Sequence, residues 1–143
     1  MKRFSCFFIW IFVLTSILPA QEREVKLKVV QTSDIHGYYY PYDFIRRREA
    51  TGSLARVHAL LQKERETYGE NLILLDNGDI LQGQPTAYYY NYIDTVAPHL
   101  TAEMMNFMGY DAGNMGNHDV ETGRAVIDRW AGDSRVPILG DYV

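Results

Sequence analysis

The sequence predicts an α/β protein with a parallel sheet at its centre. Short apolar runs alternate along the chain with segments of helical period, the pattern of strands joined by helical crossovers. One run, NLILL at 71–75, is apolar throughout, as strands covered on both faces are. Polar clusters follow three of the runs directly (DIH, NGD and NHD), and in such sheets the crevice beyond the carboxyl ends of the strands is where ligands bind.

Each element has its own signal. Val25 to Gln31 reads as the first strand. Ser53 to Thr67 reads as a helix: Leu54, Val57 and Leu61 share a face, and Ser53 is placed to cap it. Asn71 to Leu75 is the second strand. Pro98 to Met108 begins with a helix-starting proline, sets Leu100, Met104, Phe107 and Met108 on one face, and stops at Gly109. Tyr110 to Gly113 is a brief third strand. Thr122 to Ala131 is a helix with Val126, Ile127 and Trp130 inward, and Val136 to Leu139 is a last strand. The predicted order is β-α-β-α-β-α-β.

The first twenty residues stand apart. Lys2 and Arg3 supply a positive start, Phe4 to Leu18 form an apolar run, and Ala20 precedes Gln21. This is the layout of a secretory signal peptide (1–20), and the run is shorter than the ~20 apolar residues of a spanning helix. The expectation is an exported protein, periplasmic or extracellular, with no stable membrane span after cleavage. Loss of Lys2 and Arg3 lowers the basic count from 14 to 12 against 18 acidic residues, a net charge of −6. A nucleic-acid polymer is a poor partner for that surface, because its phosphates call for clustered positive charge. Arg46-Arg47-Arg48, the one basic run, reads as a solvated loop. Cys6, the sole cysteine, lies in the signal, so residues 21–143 have neither a disulfide nor a thiolate ligand.

The clusters carry the chemistry. Asp34 and His36 straddle one residue, so both side chains point to one side of an extended segment. A carboxylate beside a neutral imidazole suits a divalent cation such as zinc, manganese or iron. Asp79, in NGDILQG, offers two oxygens able to bridge a pair of cations ~3.5–4 Å apart. Asn117 adds a neutral carbonyl oxygen. His118 beside it is suited to protonate a leaving oxygen, and Glu121 is near enough to orient that imidazole. Taken singly, each piece has a plainer reading: an Asp and His in a surface turn, an aspartate bonded to its own turn amides, a flexible Gly-Asn loop. For Asp76 the turn-forming reading is preferred. Three pieces at three strand ends argue for a common site.

D-x-H, then G-D-x-x-x-G, then G-N-H-[DE], in this order and spacing, resemble the first half of the calcineurin-like metallophosphoesterase signature. GSLAR, LILLDNGDILQGQP and MNFMGYDAGNMGNHDVETG are similar to the secreted 5'-nucleotidase / 2',3'-cyclic-nucleotide phosphodiesterase branch, and the likeness runs from Leu27 to Val143. It implies the first half of a four-layer α/β/β/α sandwich and two divalent metal ions as cofactors. Asp34 and His36 would bind the first, Asp79 would bridge, and Asn117 would bind the second. His118 would serve the leaving group with an acidic partner. That partner is usually aspartate in this branch, and Glu121 stands in its place. The implied substrates are nucleotide phosphate esters.

The ligand inventory is short. A site of this kind takes about four protein ligands per metal, and the chain offers three for the first and two for the second. The family's later G-H and G-H-x-H segments are not found in this sequence. His58 in mid-helix and His99 in a first helical turn are read as structural. Residues 21–143 are therefore expected to form an amino-terminal, incomplete part of the catalytic domain, binding at most one metal weakly and turning over negligibly alone. The alternatives are a non-catalytic truncated remnant and, in a completed protein, a broad sugar-nucleotide or phosphomonoester hydrolase. The YYYNY run, Tyr88 to Tyr92, is read as core aromatics in preference to a base-stacking platform.

Overall fold

The computed structural model describes residues 24–140; the predicted signal segment, 1–20, lies outside the described residues. In chain order the elements are β1 (Lys28–Thr32), β2 (Tyr42–Asp43), β3 (Arg48–Glu49), α1 (Leu54–Tyr68), β4 (Leu72–Asp76), α2 (Pro85–Tyr88), α3 (Leu100–Met108), β5 (Ala112–Asn114), α4 (Asn117–Glu121), α5 (Arg124–Asp133) and β6 (Ile138–Leu139). β1, β4, β5 and β6 form one sheet in that order, every pair parallel. β1 and β4 pair over five residues, from Lys28 opposite Leu72 to Thr32 opposite Asp76. Their carboxyl ends are therefore level, and the loops that follow leave the sheet side by side.

The helices begin and end where local chemistry dictates. Ser53 caps α1 by accepting from the Arg56 amide, and Gly69, at φ 52°, closes it. Gly109 ends α3 in the left-handed conformation, its N–H returning to Met105 and Asn106. The core lies on one face of the sheet. There Leu72 and Leu74 of β4 meet Leu54 and Leu61 of α1, Met105 and Met108 of α3, and Val126, Ile127 and Trp130 of α5. Leu74 and Trp130 are wholly buried, and burial of a leucine side chain contributes about 1.5–3 kcal/mol. The other face is open: Val25, Leu27, Val29 and Leu139 are all exposed.

The structure changes several expectations. α3 buries Thr101, Ala102, Met105 and Met108, while Phe107 is 77% exposed and lies against the His58 ring. The buried stripe is thus rotated from the one predicted, because small residues let α3 approach its neighbours closely. Tyr88, Tyr89 and Tyr92 are exposed, so the YYYNY run is not core. It forms the end of α2 and a π-type turn over Tyr89–Ile93, with Asn91 as the buried member. The hairpin β2–β3, α2 and α4 were not predicted. Arg46 and Arg47 fall in the hairpin turn and Arg48 on β3, all exposed, as a solvated loop requires.

Candidate metal centre

The loop after β1 does not simply turn away; it runs alongside the loop after β4. Asp34 N–H donates to the Gly78 carbonyl (3.0 Å), His36 N–H to Asp79 (2.8 Å) and Gly37 N–H to Ile80 (3.2 Å). This ladder extends the β1–β4 pairing past the sheet edge. Within it Asp34, His36 and Asp79 take φ values of 56°, 48° and 59°. Such left-handed backbone is uncommon outside glycine, costs of order 1 kcal/mol per residue, and gathers at functional sites. The turns bring one ligand atom from each of the three side chains within 4.8 Å of the others.

The imidazole of His36 is oriented. Its Nδ1 lies 3.1 Å from the Gln82 carbonyl, which can only accept, so Nδ1 carries the proton. Nε2 is then the free acceptor, 3.9 Å from Asp34 Oδ1. A histidine ligand fixed by a carbonyl on its far nitrogen is the usual outer-shell arrangement at a metal. Asp34 also accepts from the Ser33 hydroxyl. One imidazole nitrogen and two carboxylates, converging and partly exposed, fit a divalent cation.

The loop after β5 closes the third side. Asp79 Oδ1 accepts from His118 N–H at 2.9 Å, and the His118 and His36 rings meet edge to face at 5.3 Å. The approach leaves no room for side chains at the crossing. A Cβ on Gly78 would stand 2.3 Å from Gly116 N, and one on Gly116 would stand 2.1 Å from Asp79 Oδ1. Asn117, the first residue of α4, is exposed next to His118. His118 Nδ1 faces Glu121 at 3.2 Å, and Gln82 Nε2 donates to the same carboxylate oxygen. That hydrogen bond raises the His118 pKa and lowers that of Glu121.

The remaining candidates fall elsewhere. Asp76 is buried, accepting from its own turn at Gly78 N–H (3.0 Å) and from the Thr32 hydroxyl (2.6 Å), which also meets Tyr110; it is the turn-former expected. Burial raises its carboxyl to about 6. His58 contacts Gln62 on the α1 surface, and His99 is fully buried beside Asn91. Gln82 escaped sequence reasoning, since its contribution to His36 comes from a backbone carbonyl that any residue supplies. Asp119, the last residue of the G-N-H-[DE] match, is visible in the sequence but is given no role there, since nothing local shows that it is wholly buried.

A parallel sheet carrying two carboxylates and an oriented imidazole at its carboxyl edge has the make-up of a metal-dependent hydrolase. The chain belongs to the calcineurin-like phosphoesterase family, whose model matches residues 27–142; by family it is a hydrolase, and the family uses divalent metal ions. It is 35% identical to the trifunctional nucleotide phosphoesterase protein YfkN of Bacillus subtilis, over 93% of this chain and 10% of that protein. It is 29% identical to a 2',3'-cyclic-nucleotide 2'-phosphodiesterase/3'-nucleotidase of Yersinia enterocolitica, over 87% of this chain and 19% of that one. The crystal structure of the calcineurin-like phosphoesterase YfkN superposes with a TM-score of 0.74 at 34% identity, over 82% of this chain and 37% of that chain. The chain thus spans between about a tenth and a fifth of the length of these curated relatives.

Proposed function

We propose that the chain carries the front part of a two-metal site that hydrolyses nucleotide phosphate esters, of the 5'-nucleotidase or 2',3'-cyclic-nucleotide phosphodiesterase type. The observation that carries this reading is the convergence of Asp34, His36 and Asp79 within 4.8 Å, on a chain similar to nucleotide phosphoesterases. Asp34, His36 and Asp79 would hold the first ion, and Asp79 and Asn117 would contribute to the second. When bound, divalent ions neutralise charge developing on phosphoryl oxygens and supply hydroxide near neutral pH. His118, with Nδ1 on Glu121, keeps Nε2–H to donate to the ester oxygen as the P–O bond breaks. Glu121 orients the imidazole and favours its protonated form.

Residues 21–143 are read as the amino-terminal part of a larger catalytic domain, consistent with the share of the relatives that the chain covers. The layout of residues 1–20 supports export to the periplasm or the exterior. Among the described residues no helix is long and apolar enough to cross a membrane.

Metal analysis of the purified chain after Zn²⁺ or Mn²⁺ loading, with an assay on bis-p-nitrophenyl phosphate, tests the reading. The expected result is one weakly bound ion per chain and negligible turnover. Failure to take up any ion overturns the metal assignment; robust chelator-sensitive turnover overturns the view that the site needs further ligands.

A further inference from the structure

We infer that Asp119 is a positioning residue for the metal centre: its buried carboxylate joins two separate loops and sets where Asp79 stands. The inference rests on the metal reading above. Asp119 has no solvent exposure. Its Oδ1 accepts from the amides of Ile80 (2.9 Å) and Leu81 (2.7 Å), and its Oδ2 from those of Asp79 (2.7 Å) and Gly116 (3.0 Å). Four N–H donors use all the acceptor sites a carboxylate has. Three belong to the loop after β4 and one to the loop after β5, so a single side chain ties two strand ends together.

The tie runs both ways. Asp119 accepts from the Asp79 amide, while the Asp79 carboxylate accepts from the His118 amide at 2.9 Å. Asp79 is thereby held at its strained φ of 59° with one oxygen already directed at α4. No shorter or neutral side chain reproduces this. An asparagine accepts at one end only, and its amide nitrogen would face the Asp79 and Gly116 N–H donors or those of Ile80 and Leu81. Asp119 stands to Asp79 as the Gln82 carbonyl stands to His36: each fixes a donor from behind.

Cobalt titration of the full chain, followed by visible absorption, tests this. In Asp119→Asn, Co²⁺ affinity is expected to fall roughly 10–100-fold, the range for loss of a support behind a metal ligand, with near-ultraviolet circular dichroism retained. Asp111→Asn removes a carboxylate that accepts from the Leu74 amide, before β5 and outside the two loops; it lowers stability but leaves Co²⁺ affinity as in the wild type. A D119N affinity within twofold of wild type overturns the inference while leaving the metal site standing. Absence of Co²⁺ uptake by the wild type overturns both. Should D119N not fold, hydrogen exchange on the wild type decides. Co²⁺ is expected to slow exchange of the Asp79, Ile80, Leu81 and Gly116 amides together, because coupling between cation and loop is reciprocal. Unchanged exchange at Ile80 and Leu81 in the loaded protein overturns the inference.

Discussion

His118 and His99 occupy contrasting environments, one at the sheet edge and one wholly buried, and show what surroundings do to one side chain. His118 stands at the sheet's carboxyl edge, partly exposed and facing Glu121, and its pKa is raised by that hydrogen bond. His99 is sealed between α3 and the π-type turn, and burial, with Arg129 nearby, pushes its pKa down to about 4 against the pull of Asp133. Its Nε2 meets the Asn91 side-chain oxygen at 3.0 Å, while Asn91 Nδ2 donates to the Leu81 carbonyl. Nε2 must therefore carry the proton, and the neutral ring serves as a donor. The edge favours the charged imidazole, and the pocket around His99 disfavours it. Yet the interior is not idle, since Asn91 donates to the Leu81 carbonyl while Asp119 accepts from the Leu81 N–H.

The largest expected effect breaks the edge and spares the interior. Asp79→Asn removes one of three converging ligands and should reduce cation affinity by more than the roughly 10–100-fold typical of a supporting residue. The thermal midpoint of the metal-free chain should hold or rise, because the asparagine oxygen can still accept from the His118 amide while the charge facing Asp34 is lost. Near-native cation binding in this variant would remove Asp79 from the site.

The next effect tests the interior through pH. In chelator-treated protein His99 titrates near 4 folded and 6.5 unfolded, so the unfolded chain binds more protons between those values. Stability from His99 is present above about 6.5 and lost as pH falls toward 4, roughly 3 kcal/mol in all. Asp76, about 6 folded against 3.8 unfolded, has the opposite sign: its contribution rises as pH falls through 6 and is complete below 3.8, again of order 3 kcal/mol. The two largely cancel in the wild type. Urea unfolding from pH 4 to 7 should show stability of Asp76→Asn falling with acid and that of His99→Gln rising. Two profiles parallel to wild type would mean that neither group is perturbed as described.

The smallest effect sharpens the edge. Glu121→Gln should return the His118 pKa toward 6.5, read from its imidazole proton shifts by NMR, with Co²⁺ affinity unchanged. A pKa that does not move would separate Glu121 from the imidazole.

The legible parts share a local cause. Ser53 caps α1 and Gly109 stops α3 because capping needs only neighbours in sequence. β1, β4 and β6 show as apolar runs, and Asp34, His36 and Asp79 as polar residues within a few positions of the ends of two of them. The misjudged parts depended on packing partners. Phe107 and the YYYNY tyrosines look like core by composition, but their exposure follows from how α3 and α2 sit on the sheet. Asn91, one polar residue among aromatics, became the buried one because it finds both His99 and the Leu81 carbonyl.

By itself the sequence determined the order of the four sheet strands and of α1, α3 and α5 between them, and the chemical nature of the donors, since hydrophobic period and side-chain identity act over a few residues. It also determined that glycine stands at 78 and 116, where the loops after β4 and β5 cross too closely for a Cβ. Only the tertiary structure decided that Asp34, His36 and Asp79 would take left-handed backbone, that His36 would be oriented by Gln82, and that Asp119 would vanish from the surface. Each of those depends on hydrogen bonds between loops some forty residues apart. The sheet brings those loops level, and no local preference encodes their meeting.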